Sequence, residues 1–281
     1  MTTARTPGPE AGARLRVATL NLWGTRGDWP ARRERLAAGF AEISPDLVVL
    51  QETILTDEYD QVRDLLGEEY HVVHQSKREP DGQGVSTASR LPLGEVSEVD
   101  LQLTPRTLDF ACTSLLAEVL APPPFDRIWL LNHFPSWRLD LAYERERQAV
   151  VAARVLQDAA AARPGHQLVA GDLDADPDSS SIRFWTGRQS LESTSVCFRD
   201  AWESTHGRHS ADRFGHTYVP DNPHSVDWDW PFRRIDYLLV GCGHHGGPTL
   251  AVRHCVRAFD RPWDTVSDHY GLVADLVPAP G

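Results

Sequence analysis

The sequence predicts an α/β protein in which two β-sheets pack face to face and helices cover their outer faces. Runs of Val, Leu and Ile alternate with segments of helical periodicity, whereas residues 70–119 form short β segments separated by turn residues. The sequence shows no repeat of fixed period, no low-complexity linker and no change of composition near its middle. We therefore predict a single domain over residues 14–278, preceded by a polar, disordered tail over residues 1–13.

The beginning of the domain is predicted to contain two strands, each followed by a helix. Residues 15–22 and 47–50 are apolar runs of strand length. Between them, Asp28 with a proline two residues later is typical of a helix N-terminus, so a helix is expected over residues 31–40. A second helix is expected over residues 56–66.

The middle of the chain is predicted to be a meander. Its strand-like segments cover residues 70–73, 84–88, 94–103 and 112–120, with turn residues between them. Such a meander, placed between segments that mix strands with helices, is what favours two sheets over one.

The second half of the chain returns to a mixed pattern. A strand over residues 128–131 presents His133 and precedes the longest predicted helix, residues 139–162. One face of this helix is expected to carry Tyr143, Val150, Ala153 and Leu156. Residues 174–229 are predicted to be rich in loops, and the remaining strands are expected at residues 168–170, 235–240, 250–256 and 272–276.

Charge and cysteine content narrow the class of protein. The formal net charge of the 281 residues is −12. Proteins that bind long nucleic acid through its backbone need clustered Lys and Arg, so the acidic balance disfavours that class. The four cysteines are scattered, which favours buried free thiols. No segment resembles a signal peptide or reaches the roughly 18 apolar residues of a membrane span. We expect a cytoplasmic enzyme that functions as a monomer.

Polar residues with a shared chemistry follow or interrupt the apolar runs. They are Asn21, Glu52, Asp172, Asp236 and the tripeptide at residues 267–269, Ser-Asp-His. Strand ends that converge on one edge of a packed sheet are where α/β proteins build polar sites. Carboxylates, an amide and a histidine gathered there indicate a hard divalent cation beside a proton-transfer group. That combination points to metal-assisted phosphoester chemistry.

In this order, with His133 between Glu52 and Asp172, the residues resemble the endonuclease/exonuclease/phosphatase superfamily, the deoxyribonuclease I-like proteins. Residues 84–92 resemble the family's central strand, which ends in Ser-Arg-x-Pro. Residues 200–202 and 215–218 are similar to the segment that precedes the family's Arg-Ile-Asp motif. The resemblance covers about residues 15–276. It implies a four-layer α/β sandwich, two mixed, mostly antiparallel sheets flanked by helices, with a phosphoryl group and a divalent ion bound where the sheets open.

The resemblance also implies a ligand set for the cation. Glu52 would be the principal ligand, with Asn21 and Asp268 close by. The cation would be Mg²⁺ or Mn²⁺, which needs few protein carboxylates because it keeps several waters.

The remaining members of the set would serve catalysis. By resemblance, Asp236 holds His269 in one tautomer, and His133 donates a hydrogen bond to a phosphate oxygen. Either His269 or Asp172 would activate the attacking water, and both alternatives remain open.

Asp174, also placed in the catalytic group, departs from the family pattern, which has Asn at this position. A carboxylate cannot donate a hydrogen bond to phosphate unless it is protonated, and its charge would repel the substrate. We predict either tighter or two-metal binding, or a protonated Asp174.

Several tryptophans lie a few residues from the proposed catalytic positions, mostly in loops. Core packing is the ordinary role of such side chains. An aromatic wall that binds a flat or sugar-like leaving group is the alternative, and its candidate substrate-binding residues are Trp137, Trp228, Trp230 and Trp263.

Together these observations predict a phosphoesterase that hydrolyses a P–O bond in a small-molecule or lipid-headgroup phosphate ester. The acidic balance, the loop tryptophans and the lack of an Arg/Lys-rich stripe favour such a substrate over extended nucleic acid. The alternative is a DNA or RNA nuclease. A catalytically impaired binding module with the same fold is the third reading, and Asp174 is its only support.

Overall fold

Two β-sheets form the centre of the protein, which a computed structural model describes over residues 13–207, 215–225, 232–244, 246–261 and 263–279. In chain order the strands are β1 (Leu15–Asn21), β2 (Leu47–Ile54), β3 (His71–His74), β4 (Gln83–Ser89), β5 (Leu93–Asp100), β6 (Thr113–Leu120), β7 (Arg127–Phe134), β8 (His166–Asp172), β9 (Phe198–Asp200), β10 (Asp236–Gly241), β11 (Leu250–Ala258) and β12 (Gly271–Pro278). The α-helices are α1 (Trp29–Ile43), α2 (Gln61–Leu66), α3 (Ala142–Ala162), α4 (Ser180–Trp185) and α5 (Ala201–His206).

Each sheet has six strands and mixed directions. The first has the order β11-β12-β1-β2-β4-β3, and the second has the order β5-β6-β7-β8-β10-β9. Only β1–β2 and β7–β8 are parallel among the described strand pairs. Each of these two pairs is joined through a helix, α1 in the first sheet and α3 in the second, as parallel neighbours require.

The buried side chains form layers that match this topology. One core lies between the sheets and joins residues such as Val17 and Val49 to Leu130 and Leu168. A second core packs α1 and α2 on the first sheet, and a third packs α3 and α4 on the second. The predicted four-layer α/β sandwich of two sheets with helices outside is confirmed.

A buried polar bridge joins the two sheets near their centre. Asn132 on β7 donates through Nδ2 to the carbonyl oxygens of Leu50 (3.1 Å) and Ser86 (3.0 Å) in the first sheet. Its Oδ1 accepts from Gln51 Nε2 at 2.9 Å. Since buried polar groups that lose a partner are costly, this amide favours one relative position of the two sheets.

The start of the chain's first helix agrees with the sequence pattern. Asp28 is the N-cap of α1, and its Oδ1 accepts from the backbone N–H of Ala31. The next helix, α2, begins at Gln61 rather than at residue 56 as predicted. The hydroxyl of Thr56 accepts from the backbone N–H groups of Glu58 and Tyr59, and these local bonds hold a turn instead of a helix.

Two other predictions about the elements are wrong. The expected meander is divided, because β4 belongs to the first sheet and β5 to the second. Tyr143 is 60% exposed, although Val150, Ala153 and Leu156 on the same helix are buried as expected. The described part of residues 174–229 is rich in loops, as predicted, and its elements α4, β9 and α5 are too short to show a clear period in the sequence.

Two predictions fall on parts of the chain that the structure does not describe. Residues 1–12 of the expected tail lie outside the described residues, as do Trp228 and Trp230. Among the helices that the structure describes, none is long and apolar enough to cross a membrane.

Candidate active site

One end of the two packed sheets brings together six of the residues singled out in the sequence. They are Asn21 at the end of β1, Glu52 within β2, Asp172 at the end of β8, Asp236 at the start of β10, and Asp268 and His269 just before β12. The strands β1, β2 and β8 end at this edge, while β10 and β12, which run antiparallel to their neighbours, begin there. Alternating strand direction therefore places residues that are far apart in sequence at one edge.

Asn21 joins the two sheets at this edge. Its Nδ2 donates to Glu52 Oε1 at 3.0 Å and to Asp172 Oδ2 at 3.1 Å. Its Oδ1 accepts from the backbone N–H of Trp23 at 3.0 Å, which fixes the orientation of the amide. The amide thus holds two carboxylates, one from each sheet, at hydrogen-bond distance from a single nitrogen.

Glu52 is turned toward the cluster by an irregularity in β2. Its backbone has a φ of 53°, and the pairing of β2 with β4 shifts register between Leu50 and Thr53. A β-bulge of this kind redirects a side chain, and left-handed backbone at a residue other than glycine costs of order 1–3 kcal/mol. The second carboxylate oxygen, Oε2, accepts from Arg26 Nη1 at 2.7 Å. Sequence reasoning missed Arg26, because nothing in its loop distinguishes it from a solvated arginine.

Close packing between β7 and β8 places Asp172. A Cβ atom at Gly171 would lie 2.3 Å from the carbonyl oxygen of His133, so the residue before Asp172 must be glycine. Asp172 itself is buried and lies at the last position of β8. Its Oδ1 accepts from the backbone N–H of Asp174 at 3.1 Å.

Asp236, His269 and Asp172 form a chain of acid, imidazole and acid. His269 Nδ1 and Asp236 Oδ2 are 2.9 Å apart, and His269 Nε2 and Asp172 Oδ2 are 3.7 Å apart. One atom from each of the three residues lies within 4.8 Å of the others. The ring of Tyr218 packs edge-on against the imidazole. Asp236 Oδ1 is buried without a hydrogen-bond partner among the residues that the structure describes.

Ser267 fixes the tripeptide to the first sheet. Its hydroxyl donates to the carbonyl oxygen of Asn21 at 2.7 Å and accepts from the backbone N–H of His269 at 3.1 Å. From the other side, Asn222 Nδ2 donates to the Ser267 carbonyl at 2.9 Å, and Ser225 Oγ donates to the Asp268 carbonyl at 3.2 Å. Sequence reasoning missed Asn222 and Ser225, since loop residues that act through long-range backbone contacts carry no local signal.

The cluster holds more negative charge than its neighbours compensate. Burial raises the pKa of Asp172 well above its usual range, and the charges of Asp174 and Asp236 add to this effect. Burial likewise raises the pKa of Asp268 to about 6, with a further contribution from Glu52. Burial alone would lower the pKa of His269, but the surrounding carboxylates outweigh it and raise that pKa well above the ordinary value. An imidazolium is therefore the stable form beside these anions.

Asp174 lies in a pocket of positive charge. Burial raises the pKa of its carboxyl to about 6, whereas Arg233 and Arg145 act in the opposite direction. Arg233 also donates to the Asp174 carbonyl oxygen at 3.0 Å, and Arg145 is buried. The sequence predicts that a second cation or a proton compensates the negative charge of Asp174. The structure adds a third source, two guanidinium groups of the chain itself.

The described side-chain contacts of His133 are with Ser114 and Trp185. It is buried on β7, its Nδ1 is 2.7 Å from Ser114 Oγ, and its ring packs edge-on against Trp185. Burial lowers its pKa to about 3, so the ring is neutral at physiological pH. The role of a phosphate donor remains a prediction for His133.

The two described tryptophans of the proposed aromatic wall lie at the surface. Trp137 is 39% exposed and Trp263 is 71% exposed, with Arg261 stacked over the latter at 5.9 Å. Arg145 holds the loop of Trp137 through hydrogen bonds to the carbonyl oxygens of Ser136 and Arg138. A substrate-binding role for these side chains remains a prediction.

Sequence comparison agrees with this geometry. The profile of the Endonuclease/Exonuclease/phosphatase family matches residues 18–269, a range that contains every residue of the cluster. The chain belongs to the endonuclease/exonuclease/phosphatase family. No curated protein matches the chain by sequence.

Solved structures share the family fold over almost the whole chain. Truncated Caenorhabditis elegans TDP2 has a TM-score of 0.72 at 17% identity, over 94% of this chain and 98% of that chain. D. rerio TDP2 complexed with a single strand DNA product has a TM-score of 0.68 at 19% identity, over 94% and 99%. The human Nocturnin catalytic domain with a bound sulfate anion has a TM-score of 0.69 at 18% identity, over 95% of each chain.

The cluster fits the divalent cation expected in a member of the endonuclease/exonuclease/phosphatase family. Four carboxylates, one each from Glu52, Asp172, Asp236 and Asp268, converge on this edge. His269 and Arg26 contact them, and the buried Arg32 lies close enough to interact with Asp268 and Glu52. Burial, and next to it the neighbouring anions, disfavours the ionised form of Asp172 and Asp268, and a hard cation with oxygen ligands would stabilise that form.

Proposed function

We propose that the protein is a divalent-metal-dependent phosphoesterase, using Mg²⁺ or Mn²⁺, that hydrolyses a P–O bond by in-line attack of water. The observation that carries this proposal is the convergence of Glu52, Asn21 and Asp172 with the Asp236–His269 pair at one sheet edge. It supplies both an oxygen-rich position for a cation and a separate proton-transfer group.

Glu52, Asn21 and Asp268 are the residues that would hold the cation. When bound, the cation would neutralise charge on a phosphate oxygen and on the leaving alkoxide. Although Asp172, Asp236 and His269 also lie close enough to hold a metal, we assign them to proton transfer. The 2.9 Å contact between His269 Nδ1 and Asp236 already occupies one imidazole nitrogen and one carboxylate oxygen.

Asp236 orients His269 and stabilises its protonated form. A protonated imidazole donates, so we assign His269 Nε2 to a phosphate oxygen and not to deprotonation of water. Asp172, whose pKa is raised by burial, is the better proton acceptor of the two groups. Of the two alternatives that the sequence left open, this favours Asp172 as the group that activates water.

The substrate we favour is a small-molecule or lipid-headgroup phosphate ester. The formal net charge of −12 disfavours a long polyanion, for which phosphate contacts supply most of the affinity. The exposed side chains of Trp137 and Trp263 could contact a flat or sugar-like leaving group. The second candidate is a nuclease, because D. rerio TDP2, a structural neighbour, was solved with a single strand DNA product.

Side-by-side assays with bis-p-nitrophenyl phosphate, p-nitrophenyl phosphate and plasmid DNA in Mg²⁺ test the proposal. Turnover of either nitrophenyl ester that a chelator abolishes supports a phosphoesterase of small substrates, whereas nicking of the plasmid alone supports a nuclease. A Glu52→Gln variant and a matched surface variant, Glu58→Gln, distinguish the cluster from a contaminant. Equal activity in the two variants, or silence on all three substrates, would refute the proposal.

A further inference from the structure

Two cysteines lie opposite each other at the outer edge of the second sheet. Strands β9 and β10 are antiparallel, and Phe198 faces Gly241. Cys197 directly precedes β9 and Cys242 directly follows β10, so they are the next opposing pair. The backbone N–H of Cys242 donates to the carbonyl oxygen of Cys197 at 2.9 Å, which shows that the pairing continues to them. Opposing residues of an antiparallel pair place their side chains on the same face.

The spacing of such a pair suits a disulfide. Opposing Cα atoms in antiparallel strands are about 4.5–5.5 Å apart, and disulfides span Cα separations of about 4.4–6.8 Å. The two thiols are also close enough to interact. The pKa of Cys242 is raised to about 11, mainly by burial and next by a hydrogen bond between its thiol and that of Cys197. A short side-chain rotation, not a rearrangement of the sheet, would therefore bring the sulfur atoms together.

The surroundings of the pair favour reaction at Cys197. Both cysteines are partly exposed, whereas Cys112 and Cys255 are buried. Arg199 donates to Cys197 Sγ at 3.7 Å. The thiolate is the reactive form in thiol–disulfide exchange, and Cys197 is the member of the pair whose sulfur contacts a guanidinium.

We propose that Cys197 and Cys242 form a reversible redox site that a low-molecular-weight disulfide converts to an intramolecular disulfide. The Cys197 thiolate attacks one sulfur of the small disulfide, forms a mixed disulfide and releases one small thiolate, which takes up the proton that Cys197 lost. Cys242 then loses its proton and attacks the Cys197 sulfur, releasing the second small thiol. The two cysteines are oxidised by two electrons, and the small disulfide is reduced to two thiols.

The site is separate from the proposed phosphoesterase cluster. Cys242 follows the end of β10, and Asp236 stands at its beginning, six residues away or roughly 20 Å along the strand. Through β9, the bond would constrain Asp200, whose carboxylate forms a buried ion pair with Arg234. The proposal therefore stands or falls independently of the phosphoesterase activity.

Oxidation of the reduced full-length chain in buffers of graded glutathione and glutathione disulfide tests the proposal. We expect the number of free thiols, titrated after denaturation, to fall from four to about two, and the mass of the chain to fall by that of two hydrogen atoms. Peptide mapping should find Cys197 joined to Cys242, and dithiothreitol should reverse the change.

Single variants give the matched controls. Cys242→Ser should stop at a stable glutathione adduct on Cys197, because the resolving thiol is gone, and Cys197→Ser should form no disulfide with Cys242. The mapping of the unmodified chain decides the question even where a variant fails to fold. Four free thiols in the most oxidising buffer, a lasting glutathione adduct on the natural chain, or a bond that involves Cys112 or Cys255 would overturn the proposal.

Discussion

Replacing Asp174 by Asn removes the charge that distinguishes this chain from the usual family pattern. The pKa of the buried carboxyl is raised from 3.8 to about 6, which corresponds to about 3 kcal/mol of unfavourable free energy for the ionised folded state. Arg145 and Arg233 lose a compensating charge in the variant, so we expect a smaller net stabilisation, about 1–2 kcal/mol in the absence of metal. At roughly 2–4 °C per kcal/mol, the melting temperature should rise by about 2–8 °C.

The stabilisation by Asp174→Asn should depend on pH. Because the folded state holds the Asp174 proton more tightly than the unfolded state, the penalty is fully present above about pH 6. It decreases as the pH falls and vanishes below the unfolded pKa near 3.8. The stabilisation by Asp174→Asn should therefore be large at pH 8 and small near pH 4.5.

Thermal unfolding in chelator, at pH 8 and pH 4.5, measures both effects. Asp176→Asn is the matched control, because Asp176 also contacts Arg233 but its side chain is 49% exposed. The control should change the melting temperature little at either pH. The reasoning about Asp174 fails if Asp174→Asn is no more stable than the natural chain at pH 8, or if the gap does not shrink on acidification.

Metal titration extends the same experiment. A cation that relieves the excess charge should stabilise the natural chain more than Asp174→Asn, and the activity of the variant should need a different Mg²⁺ concentration. Unchanged metal dependence together with an unchanged rate would show that Asp174 does not act on the cation.

Three further predictions test other parts of the structure. Glu52→Gln should remove the Mg²⁺-dependent rise in melting temperature, measured by calorimetry, and should lower kcat for ester hydrolysis about 100-fold or more. A melting temperature that still rises with Mg²⁺ would contradict the role of Glu52 as a ligand. Asp236→Asn should lower kcat by a factor of roughly 10²–10⁴ and should also lower the pKa of His269, which NMR titration of the imidazole measures. An unaltered pKa would show that Asp236 does not stabilise the protonated form of His269. Asp275→Asn should cost about 1 kcal/mol at neutral pH, since Arg16 holds the pKa of Asp275 below its usual range. This contribution is present above the unfolded pKa and is lost as the pH falls through the folded value, so equal losses at pH 7 and pH 2.5 in urea unfolding would argue against it.

Local sequence signals were sufficient for much of the fold. Asp28 caps α1 as its residue type and position indicate, and the apolar runs that end at Asn21 and Asp172 are buried strands. These signals are reliable because capping and side-chain alternation depend on neighbours within a few residues. The choice of a strand's pairing partner depends on segments that are distant in sequence, so the sequence could not show that β4 and β5 lie in different sheets.

The sequence by itself determined which residue types stand at the strand ends, and hence the chemistry that this protein can offer. Only the tertiary structure decided how those residues meet. The bulge that turns Glu52, the guanidinium of Arg26 on its carboxylate, and the charges of Arg145 and Arg233 around Asp174 all arise from contacts between distant segments. Burial then alters the proton affinity of the acids, because removal of water depends on every layer packed around them and not on adjacent residues.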